Sequence, residues 1–113
     1  MLSKNTTKRI TVIVLSLSLF ALKSSAETAA TIELLPGAQV FAQYQDKKPF
    51  VANFFTEQSE QEIIDFYQSN YGEITSQTRI KGQLVLKFSS ESDNIRIIVS
   101  RQSNKHQVDI LIN

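Results

Sequence analysis

The spacing of apolar positions changes period twice along the chain, and the two changes define its elements. Pro36-Gly37 is a turn signal, because proline fixes one dihedral and glycine accepts the positive one that follows. Val40-Phe41-Ala42-Gln43-Tyr44 then predicts a first strand, closed by the polar connection Asp46-Lys47-Lys48-Pro49. Phe50 to Thr56 predicts a second strand and completes a hairpin. From Ser59 the period lengthens to about 3.6. Ser59 stands three residues ahead of Glu62, the capping-box spacing, and Ile63, Ile64, Phe66, Tyr67 and Tyr71 form one stripe of a helix over 59–70. Gly72 suits its C-terminal cap.

After Gly72 the period drops to two. Glu73 to Ile80 and Gln83 to Phe88 predict strands around a Lys81-Gly82 turn, with Leu84, Leu86 and Phe88 on one face. Ser89 to Asn94 predicts a polar turn. A strand follows in which Ile95, Ile97 and Val99 alternate with Arg96, Ile98 and Ser100. After a Ser103-Asn104-Lys105 turn, Val108, Ile110 and Ile112 mark the last strand. Short connections require antiparallel neighbours. The expectation is an α+β fold of order ββαββββ, one amphipathic helix packed on an antiparallel sheet. The face that the helix leaves bare carries Val85, Ile98 and Leu111.

The first 26 residues do not fit that plan. Lys4, Lys8 and Arg9 precede an uncharged apolar run, Ile10 to Leu22, and small residues Ser24, Ser25 and Ala26 follow. This is the three-part pattern of a cleavable export signal, cut after Ala26. The run is too short for a membrane span, which needs about 20 apolar residues. The expected organisation is a signal peptide over 1–26, an N-terminal lead-in over 27–35 and a single domain over 36–113. The expected location is the periplasm or the medium, with no stable membrane anchor after cleavage.

Cleavage reverses the charge. Four of the 12 basic residues lie in the signal and all 11 acidic ones lie beyond it, leaving eight against 11 and a net charge of −3. A mildly acidic domain does not attract nucleic acid. Cysteine is absent, which excludes a disulfide framework, a thiolate nucleophile, cysteine-ligated metal and the lipid-modified cysteine of a bacterial lipoprotein.

Leu35-Pro36-Gly37-Ala38 ahead of a hairpin, Phe55-Thr56, then Ser59, Glu62-Ile63-Ile64 and Phe66-Tyr67 before a meander resembles a recurrent pattern in small exported bacterial α+β domains of uncharacterised function. Those motifs are a turn, a cap and a buried aromatic pair. The resemblance implies a fold and no catalytic residue.

Candidate chemistry is sparse. His106 is the one histidine, placed in a turn, and the metal and triad readings would need Asp109, Arg101 or Glu91 to converge on it. Glu57, Glu60, Glu62 and Asp65 read as capping and a wetted helix face. No G-x-S-x-G elbow, calcium loop or glycine-rich phosphate loop is present. No cofactor is expected. The sequence points to a non-enzymatic module that binds another extracytoplasmic protein or itself, through Phe41, Tyr44, Val51, Val85 and Ile98. The alternative is a carrier of a small apolar ligand held between helix and sheet by Phe55, Phe66, Tyr67 and Leu86.

Overall fold

The computed structural model describes residues 30–113; the export signal read over 1–26 lies outside the described residues. The elements are β1 (Gln39–Tyr44), β2 (Phe50–Thr56), α1 (Glu60–Tyr71), β3 (Ile74–Ile80), β4 (Gln83–Ser90), β5 (Asp93–Gln102) and β6 (Lys105–Ile112). They make one six-stranded sheet in the order β1-β2-β6-β5-β4-β3, antiparallel at every pair. The α+β expectation is met.

Local chemistry explains the joints. Pro36 and Gly37 make a turn in which the Ala38 N–H donates to the Leu35 carbonyl at 3.1 Å, and Gly37 has φ 80°, the positive value that a type II turn requires. At α1 the Glu62 N–H donates to Ser59 Oγ at 3.1 Å while the Ser59 N–H donates to Glu62 Oε1 at 2.8 Å, a complete capping box. The helix therefore runs one residue later than the sequence expectation, with Ser59 as its cap. It carries the chain from β2 at one side of the sheet to β3 at the far edge, and β3 to β6 then return as a meander.

Two turns are tighter than the sequence suggests. The Ser89–Asn94 turn contracts to Glu91-Ser92, because Glu91 takes φ 49° and the β4–β5 ladder runs out to Ser90 and Asp93. Ser103 likewise takes φ 56° and lets β6 begin at Lys105. His106 consequently lies in a strand, not in a turn as expected.

The core lies on one face, called inner here. Phe54, Ile110, Ile97, Leu86 and Phe88 line it from the sheet, and Ile63, Ile64 and Tyr67 cover it from α1. Ile32 and Leu35 add to the same cluster, so the segment before β1 lies along the inner face as a strap. Two tyrosines hold it. Tyr67 Oη donates to the Glu33 carbonyl at 2.7 Å, and Tyr71 Oη donates to the Thr31 carbonyl at 2.7 Å while accepting the Glu33 N–H at 3.0 Å. The two rings stack with centroids 5.6 Å apart.

Candidate interaction face

Residues paired across an antiparallel ladder share a face, so the register sorts the remaining side chains. Tyr44 pairs with Val51, Val51 with Leu111, and Leu111 with Arg96. Asn53 pairs with Asp109, Asp109 with Ile98, and Ile98 with Val85. These residues occupy the outer face, and no helix or strap among the described residues covers it. The five sequence-selected residues all lie there. Phe41 and Tyr44 are 52% and 68% exposed, Val51 and Ile98 are half-buried, and Val85 is buried by its neighbours.

Strict alternation would send Phe41 and Tyr44, three residues apart, to opposite faces. A bulge between Val40 and Ala42 inserts one residue and turns both outward. Phe41 then meets Phe55, with ring centroids 4.8 Å apart. Phe55 is thus on the outer face, whereas Tyr67 and Leu86 are fully buried on the inner one. The residue set of the apolar-carrier expectation is divided between two sides of the sheet, because adjacent Phe54 and Phe55 point opposite ways.

The outer face also carries polar groups that sequence reading did not bring together. Asp109 Oδ1 accepts from Asn53 Nδ2 at 2.7 Å and from Gln107 Nε2 at 2.9 Å. Lys87 and Arg96 are directly opposite one another on β4 and β5, like charges in a position where opposite ones stabilise. Strand alternation could have placed each on its face, but the pairing needs the strand register, which the sequence does not give.

Of the four groups considered for catalysis, two come together and two lie apart: His106 and Arg101 are cross-strand partners on the inner face. His106 Nδ1 lies 2.9 Å from the Gln58 carbonyl, which can only accept, so that nitrogen carries the proton. Arg101 turns to the Ser103 carbonyl at 3.0 Å. Asp109 is on the other face, and Glu91 is in the β4–β5 turn at the opposite end of the ladder. On the inner side, Arg79 Nη2 and Nη1 reach Glu60 Oε1 and Oε2 at 2.8 and 3.1 Å, tying α1 to β3. The hydrogen bond from Arg79 holds the Glu60 carboxyl below its ordinary range. No group of three potential metal ligands occurs among the described residues. Neither a protein-family model, nor a curated protein, nor a solved structure matches this chain.

Proposed function

We propose that this chain is a non-enzymatic, extracytoplasmic interaction module that binds a protein partner on the outer face of its sheet. The observation that carries the reading is that face itself. One side of the sheet is closed by α1 and the strap, while the other holds Phe41, Tyr44, Phe55, Val51, Ile98 and Leu111 with nothing over them among the described residues. In this reading the ββαββββ order and its amphipathic helix are the device that fills one face and frees the other. The aromatic pair at the β1–β2 edge supplies rigid anchors of the kind that dominate interface energetics. The export pattern over 1–26 supports a location in the periplasm or the medium, and the net charge of −3 beyond it favours a protein over nucleic acid as the partner.

The test is recovery of a partner from extracytoplasmic extract by the exported, purified chain, run beside Phe41→Lys and Val51→Lys variants. Stoichiometric recovery that both variants abolish supports the module. Recovery that neither variant alters sinks it.

A further inference from the structure

We propose that the partner seated on the outer face is a second copy of this chain, packed face to face about a two-fold axis that sets Arg96 of each copy against Asp109 of the other. This rests on the reading of that face as an interface, and it names the partner.

Arg96 pairs with Leu111, and Asp109 pairs with Ile98. These four residues are the corners of one cell of the outer face, roughly 4.8 Å wide and roughly 6.8 Å long for adjacent strands and a two-residue step. Arg96 and Asp109 stand at the ends of one diagonal, Ile98 and Leu111 at the ends of the other. The pattern extends outward. Val85 adjoins Ile98 on β4, and Val51 adjoins Leu111 on β2. Val85, Ile98, Leu111 and Val51 therefore form an aliphatic band running obliquely over four strands, with Lys87 and Arg96 on one flank and Asp109 on the other.

A two-fold axis lying in the plane of contact along the Ile98–Leu111 diagonal sets these two residues against their own copies and exchanges the flanks. Arg96 then meets the Asp109 carboxylate of the second molecule, and by the symmetry of an isologous contact Asp109 meets the second Arg96. On the same geometry Lys87 arrives between the second copy's Asn53 and Asp109. The strands of the two sheets cross at roughly 70°, near the orthogonal class of sheet packing.

Two features of the isolated chain fit this arrangement. Lys87 and Arg96 face each other with no ion-pair partner among the described residues. Asp109 takes both its side-chain hydrogen bonds on Oδ1, leaving Oδ2 free to accept from a guanidinium. A face presenting both signs on either side of an apolar band is complementary to itself. An unrelated partner would need the same charges in mirrored order.

The experiment is sedimentation equilibrium on the chain purified after export, from micromolar to millimolar concentration, with circular dichroism to confirm that each variant folds. The wild type is expected to form a dimer that weakens in about 1 M salt, where the screening length is roughly 3 Å. Arg96→Glu and Asp109→Arg, each alone, are expected to weaken self-association by about tenfold or more. Mixed together, the two variants are expected to form a heterodimer, because each of its two contacts again joins opposite charges; Arg96→Glu alone remains decisive if Asp109→Arg fails to fold. A monomer at every concentration, or a dimer that Arg96→Glu leaves unchanged, overturns the proposal. A monomeric chain that still recovers a different protein through Val51 also overturns it, and leaves the interaction-module reading standing.

Discussion

Lys48, in the loop between β1 and β2, forms an ion pair with Asp93 at the start of β5, a carboxylate whose side chain has no exposed surface. Asp93 Oδ2 also accepts the Ala30 N–H at 2.7 Å, so one buried anion ties together the strap, the hairpin loop and the central sheet. The Lys48 hydrogen bond, and after it the Ala30 amide, hold the Asp93 carboxyl below its ordinary 3.8. The unfolded chain therefore binds the proton first as pH falls. The contribution is complete at neutral pH and is lost below about pH 4, as pH drops through the depressed folded value. Asp93→Asn should lower the urea midpoint at pH 7 and flatten the acid limb of the stability curve. An acid limb as steep as the wild type's would show that other carboxylates govern it.

Tyr71 gives the opposite pH dependence. Burial pushes its phenol up to about 12 from an ordinary 10, and burial raises Tyr67 further. Because the folded value is the higher one, the contribution is complete below pH 10 and is lost as pH rises from 10 through about 12. Tyr71→Phe removes the acceptor of the Glu33 N–H and the donor to the Thr31 carbonyl, and should cost about 1–2 kcal/mol at pH 7. Thermal melts between pH 7 and 12 should show a shallower alkaline decline in the variant. A decline of unchanged slope would mean that the strap does not depend on this hydroxyl.

The strap shows where sequence reading runs out. Its stretch Thr31-Ile32-Glu33-Leu34-Leu35 has neither helical nor strand period, and the Thr31 carbonyl and the Glu33 carbonyl and N–H pair with tyrosine hydroxyls from α1, not with a ladder. The helix, by contrast, was legible because Ser59 and Glu62 satisfy local amides at a fixed spacing. β4 was legible because Leu84, Leu86 and Phe88 face a core that must be apolar. Asp93 falls within a stretch whose composition predicts a polar turn, yet it is 1% exposed, since only the fold brings Lys48 and Ala30 to it. On the outer face, alternation identifies Val85, Ile98 and Leu111. The neighbourhood of Arg96 and Asp109 depends on the β5–β6 register, which the two-residue turn between Gln102 and Lys105 sets.

Leu35 tests whether the strap belongs to the folding unit. It is 3% exposed within the core cluster, so Leu35→Ala should cost about 2–5 kcal/mol, the range for truncating a buried leucine. Chemical denaturation monitored by tyrosine fluorescence measures this directly. A loss well under 1 kcal/mol would show that the strap docks without contributing to the cooperative core.

Adjacent Phe54 and Phe55 provide a test of face assignment within one strand. Phe54 is fully buried on the inner face, and Phe54→Ala should cost about 3–5 kcal/mol through lost burial and the cavity left behind. Phe55 is half-buried and rests against Phe41, itself 52% exposed. Its truncation leaves an opening that water fills, so the loss is confined to partial burial and to the ring pair, which contributes about 0.5–1.5 kcal/mol. Phe55→Ala should therefore be the much milder change in urea denaturation while reducing recovery of a partner by the outer face. Equal destabilisation by the two substitutions would mean that the outer face is itself a packed core in the isolated chain. Its aromatics would then be structural, and the proposed interface would lose its anchors.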